Sequence, residues 1–135
     1  MSAAETTKPI LFDDFVPGAL MGERDEVYDA MQAARWQSLF GGSVGSGAEA
    51  ASMAVINMMR GYLNLVTPRP PGNMHARQRL QMRHLPQPGE AMHIAVRCLS
   101  KEVRRERKYV ELQVTGSGID GRALFEAQLS LIWAA

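Results

Sequence analysis

Residues 41–62, GGSVGSGAEAASMAVINMMRGY, limit the possible folds more than any other part of the chain. A glycine-rich loop runs directly into a helix with apolar residues on nearly every face. Ala51, Val55, Met58 and Tyr62 form one line, and Ala50, Met53, Ala54, Ile56 and Met59 fill most of the remainder. A surface helix shows a single apolar stripe, so this one must be wrapped by other structure. Ser46 and Glu49 have capping-box spacing and mark its start. The run TPRPPG at residues 67–72 ends it, because proline cannot continue a helix.

Before this helix, residues 9–16 (PILFDDFV) form a short apolar-acidic segment closed by a Pro17-Gly18 turn. A modest strand is predicted over residues 21–27. Asp29 then caps a helix over residues 30–40, with Gln32 spaced for a second capping box and Gly41-Gly42 ending it. Ala33, Trp36 and Phe40 share one side of that helix, and Trp36 reads as core. From Asn73 onward the period changes from helical to two. Met74, Ala76, Gln78, Leu80 and Met82 alternate with His75, Arg77, Arg79, Gln81 and Arg83. Further strands place Met92, Ile94, Val96 and Cys98 on one face, then Val110, Leu112 and Val114, then Phe125, Ala127, Leu129, Leu131 and Trp133. The charged run RRERK at residues 104–108 is a hairpin tip, and Asp120-Gly121 a tight turn. Residues 1–8 are expected to form a disordered tail and residues 9–135 a single α+β domain.

Composition narrows the functional classes. Fifteen Lys and Arg against 14 Asp and Glu leave a net charge of +1, which gives no global basis for nucleic-acid or membrane binding. No apolar run approaches the roughly 20 residues of a membrane span. The lone Cys98 makes no internal disulfide and fits a reduced, cytoplasmic setting. His75, His84 and His93 lack metal-ligand spacing, so no metal is expected.

The element order resembles the hot-dog fold, in which a curved antiparallel sheet wraps one long central helix. Within it the MaoC-like branch is similar through FDDFVPG at residues 12–18, through the strand and helix of residues 21–41, and through PGNMHARQRLQMRHLPQPGEAMHIAV at residues 71–96. The resemblance implies acyl thioesters as ligands, with coenzyme A present only as part of the substrate and no separate cofactor. It also implies a homodimer, or an oligomer with another hot-dog chain. MaoC-type hydratases and dehydratases follow their first helix with an Asp…His dyad that adds water to, or removes it from, an acyl thioester. In this chain the two dyad positions fall on Gly42 and Gly47, and no histidine precedes His75.

A second hot-dog branch, the PaaI-like thioesterases, carries a Gly-Gly pair with an acidic residue seven positions later. Gly41, Gly42 and Glu49 match that spacing, although Phe40 stands where that branch keeps a histidine. Three readings follow: an enoyl-CoA hydratase or hydroxyacyl dehydratase relative, an acyl-CoA thioesterase using Glu49, or a non-catalytic hot-dog subunit. Glu49 reads first as a helix cap and is also the candidate catalytic group. Trp36, Gly41, Gly42, Ser43, Asn57, Arg79 and Arg83 are the candidate substrate contacts. The arginines suit phosphate oxygens, and the glycines allow a thioester close to backbone N–H groups.

Overall fold

The computed structural model describes residues 8–135; the tail expected over residues 1–8 therefore lies almost wholly outside the described residues. A 3₁₀ turn at Phe12–Asp14 precedes strand β1 (Leu20–Val27), helices α1 (Ala30–Phe40) and α2 (Gly47–Leu65), and strands β2 (Met74–Met82), β3 (Ala91–Arg104), β4 (Arg107–Ser117) and β5 (Ala123–Trp133). The strands form one antiparallel sheet in the order β1-β3-β4-β5-β2. This is the architecture implied by the hot-dog resemblance.

Period-two burial makes the inner face of the sheet. Met92, Ile94, Val96 and Cys98 on β3, Val110, Leu112 and Val114 on β4, and Leu129 on β5 are fully buried. Helix α2 lies across this face and packs chiefly on β1 and β3. It comes close at Gly61, whose missing side chain leaves room for Ile94. At the far end Phe15 stands edge-on to Trp133, 4.8 Å between ring centres, and the Trp133 indole N–H donates to the Ile10 carbonyl at 2.8 Å.

Four expectations change. First, the sheet covers α2 on one side only, and Ile56 and Leu63 remain 38% and 42% exposed. An apolar residue reports that something must cover it, not that the same chain does. Second, the register of β2 against β5 shifts between His75 and Arg77. The extra residue, Ala76, rephases the strand: His75 faces inward opposite Leu131, and Gln78, Leu80 and Met82 face inward opposite Leu129, Ala127 and Phe125. Third, Trp36 is only half-buried, because α1 packs on α2 through Gln32 and Ala33 and leaves Phe40 exposed. Fourth, neither capping box is reciprocal. Asp29 accepts from the Gln32 N–H at 2.8 Å and Ser46 from the Glu49 N–H at 3.3 Å, but the Gln32 and Glu49 side chains turn to tertiary partners.

Two polar fixtures hold the sheet margins. Glu90 is buried and receives the Gln87 N–H, the Ile119 N–H and the Arg122 guanidinium at 2.9, 2.9 and 2.6 Å. Burial alone would raise its pKa, yet these donors together hold it below the ordinary value. On the outer face His93 bridges two carboxylates of β1, Asp25 through Nδ1 and Glu23 through Nε2, both at 2.9 Å. Bonds to Glu23 and then Asp25 raise the imidazole pKa above its ordinary 6.5. A raised folded value means that the bridge stabilises β1 fully below the unfolded pKa and is lost as pH rises through the folded one. The melting-temperature difference between wild type and His93→Gln should thus be largest near about pH 6 and shrink toward about pH 9. A difference that does not change over this range would refute the charged bridge.

Candidate functional site

The first turn of α2 lies under the junction of β1 and α1. Apolar neighbours Ala50 and Met53 pull this turn against the core, and the same packing carries Glu49 inside, where its side chain is fully buried. One carboxylate oxygen accepts from the Tyr28 hydroxyl and from the Gly45 N–H at 3.0 Å; the other accepts from the Gln37 amide at 2.6 Å. Four segments thereby meet on one carboxylate: the end of β1, the last turns of α1, the glycine loop and α2.

The electrostatics follow from those donors. The Tyr28 hydroxyl first, then the Gln37 amide, hold the Glu49 pKa below the ordinary carboxylate range; burial opposes them, and the Gly45 N–H assists. Tyr28 is itself fully buried, and that burial, reinforced by its bond to Glu49, pushes its hydroxyl far up. The pair is a neutral phenol donating to a fixed anion. A general base needs a pKa near the working pH and access to the substrate, whereas Glu49 is fully buried, has both oxygens engaged and has its pKa held low.

Two turns further along α2, Asn57 is also fully buried. It donates to the Met53 carbonyl at 2.9 Å, and its amide faces that of Gln32 at 3.2–3.3 Å. The Gln32 amide also lies beside the Arg60 guanidinium and 3.3 Å from the Val27 carbonyl. Beyond this pair, between α1 and α2, an open groove of about 240 Å³ is lined by Trp36, Leu39, Phe40, Met53 and Ile56, with Gln32, Arg35 and Arg60 among its polar lining. Leu39 and Phe40 are 76% and 70% exposed.

The remaining candidates fall into three places. Gly41, Gly42 and Ser43 form an exposed loop in which both glycines take positive φ, 77° and 87°, a conformation that favours glycine. The N–H groups of Gly45 and Glu49 are taken up by Glu49 and Ser46, so the loop serves the start of α2 before any ligand. Trp36 stands in the groove and Asn57 just behind it. Arg79 and Arg83 lie apart from both, on the outer face of β2 and just past its end, where Arg83 pairs with Glu126 at 3.1 Å. Sequence reasoning missed Tyr28, Gln32 and Gln37. The signal for Gln32 lay in its capping-box position; Tyr28 and Gln37 have no local one, because their role arises only when β1, α1 and α2 pack.

By sequence, no family model and no curated protein matches the chain. By structure, it is similar to a MaoC-like dehydratase from Rhodospirillum rubrum, with a TM-score of 0.72 and 16% identity over 93% of this chain and 98% of that one. It is similar to the unliganded (R)-hydratase PhaJ1 from Pseudomonas aeruginosa, with a TM-score of 0.68 and 10% identity over 94% and 87% of the two chains. It is also similar to the HadBC (3R-hydroxyacyl-ACP dehydratase) complex from Mycobacterium tuberculosis, with a TM-score of 0.65 and 14% identity over 87% and 96%. The chain therefore has the fold of these proteins, the hot-dog fold, in which one antiparallel sheet holds one long central helix. No helix among the described residues is long and apolar enough to cross a membrane.

Proposed function

We propose that the protein is an acyl-thioester-binding hot-dog subunit without chemistry of its own at Glu49, pairing with another hot-dog chain. The observation that carries this reading is the contrast between two neighbouring places. The carboxylate best placed for catalysis is buried and held by three donors, while an apolar groove stands open nearby with two arginines in its lining. Aliphatic chains gain affinity from such a lining, and Arg35 and Arg60 suit the anionic groups of a coenzyme A or carrier-bound thioester. Similarity to a hydroxyacyl-ACP dehydratase complex supports the same ligand class. Coenzyme A enters here as part of the ligand, not as a resident cofactor.

Titration calorimetry with octanoyl-CoA tests the reading. The acyl form should bind at least roughly tenfold tighter than free coenzyme A, and Trp36→Ala should remove most of that advantage by taking away an aromatic wall. Equal affinity for the two ligands, or an unchanged Trp36→Ala, would overturn the groove assignment. Hydration of crotonyl-CoA or release of thiol by the isolated chain, abolished in a folded Glu49→Gln, would overturn the structural role given to Glu49.

A further inference from the structure

The groove between α1 and α2 changes character along its length. Gln32 meets Asn57 near one end and Gln37 reaches Glu49 nearer the other, so the two helices run antiparallel. On α1 the lining residues Gln32, Arg35, Trp36, Leu39 and Phe40 stand at helical spacing along one face, polar first and apolar after. On α2 the order is reversed, with Met53 and Ile56 first and Arg60 last. Both helices therefore turn polar at the same end. A ligand with a charged head and an aliphatic tail carries the same gradient.

The polar end is short of one hydrogen-bond acceptor. Asn57 keeps its orientation, because its amide N–H donates to the Met53 carbonyl at 2.9 Å. With its oxygen toward Asn57, the Gln32 amide exchanges bonds with that residue at 3.2–3.3 Å, and its NH₂ then faces the Arg60 guanidinium. Turned over, Gln32 accepts from Arg60 and donates to the Val27 carbonyl at 3.3 Å, but its NH₂ faces the Asn57 NH₂ instead. In either orientation two N–H donors meet with no oxygen between them. Gln32 is buried, where an unpaired donor is costly. Arg35 and Arg60 are exposed and form no ion pair among the described residues.

The partner that completes this end accepts hydrogen bonds, donates none and is negative. A carboxylate does all three, and a guanidinium pairs with it at two points. The lining holds two cations and one amide, which match a single carboxylate rather than a pyrophosphate. The groove's volume of about 240 Å³ sets the tail, being roughly eight water volumes, enough for a medium aliphatic chain but not for a nucleotide.

We infer that the groove selects an aliphatic chain ending in a carboxylate, with the carboxylate on Gln32, Arg35 and Arg60 and the chain lying toward Leu39 and Phe40. The inference rests on the groove being the acyl site and narrows what its arginines recognise. A free fatty acid and the far end of a dicarboxylic half-thioester share this chemistry. Calorimetry on the full chain near about pH 7 tells them apart by comparing octanoate with octanol, and octanedioyl-CoA with octanoyl-CoA. A preference in the first comparison assigns the free acid, and one in the second the half-thioester. The favoured carboxylate should bind at least roughly tenfold more tightly than its counterpart. Arg35→Gln/Arg60→Gln should abolish the preference and keep the melting temperature, since both side chains are exposed. Equal affinities in both comparisons, a preference that survives in the double variant, or no binding of either carboxylate would overturn the inference. Octanoyl-CoA bound more tightly than coenzyme A with no carboxylate preference would overturn it and leave the groove reading intact. A carboxylate preference with octanoyl-CoA no tighter than coenzyme A would do the reverse.

Discussion

Glu49→Leu should lower the melting temperature on the order of 10 °C, because the buried Tyr28 hydroxyl, the half-buried Gln37 amide and the Gly45 N–H lose their acceptor at once. Removing one member of a buried polar set costs more than the set contributes, since the remaining groups stay desolvated and unpaired. Glu49→Gln should fall less far: its carbonyl still accepts from Tyr28, but its NH₂ opposes the Gln37 amide. A thermal-unfolding cycle with Tyr28→Phe checks the cause. The double variant Tyr28→Phe/Glu49→Leu should lose less than the two single losses added, because a ring without its phenolic oxygen leaves no orphaned hydroxyl beside the leucine. Additive losses would mean that the two side chains do not act on each other.

A second large effect is expected at Gly61→Val. A Cβ at this position would collide with the Ile94 side chain, the Ile94 Cβ itself lying 3.0 Å away, and both residues are buried. The helix cannot retreat without opening the core between α2 and β3. Overpacking of this kind costs about 3 kcal/mol or slightly less, and denaturant titration should show it as a lower midpoint at constant slope. Ile94→Ala in the same chain makes room and should recover part of the loss, whereas Ile94→Ala alone leaves a cavity and destabilises. A double variant weaker than both singles would show that the glycine serves something other than this close approach.

The two positions differ in how well the sequence announced them. Helix ends, strand faces and the order of elements were readable because they follow from local rules: Asp29 and Ser46 as caps, glycines past α1, period two from β3 onward. Gly61 gave no signal, since its use depends on Ile94, thirty-three positions away. Glu49 was conspicuous by its spacing from Gly41 and Gly42, but its partners decide its chemistry, and Tyr28 and Gln37 join it only through packing. Ala76 shows the limit of periodicity. A single bulged residue reverses the faces before it, so His75, which period two grouped with Arg77 and Arg79, instead faces Tyr62, 6.5 Å between ring centres. The apolar side of α2 that the sheet leaves open was equally opaque, because composition measures the need for burial and not its source.

Trp133 and Trp36, the only two indoles in the chain, sit in opposite surroundings. The first is sealed against Phe15 with its N–H committed to Ile10, and the second stands at a groove open to solvent. The protein thus carries two built-in optical reporters with separate assignments. Emission from Trp133 should shift to the red when the N-terminal segment lifts away from β5 or the core opens, while Trp36 reports on the groove between the helices. Single-tryptophan forms of this chain would let loss of the fold and occupancy of the groove be followed as two independent signals in one cuvette.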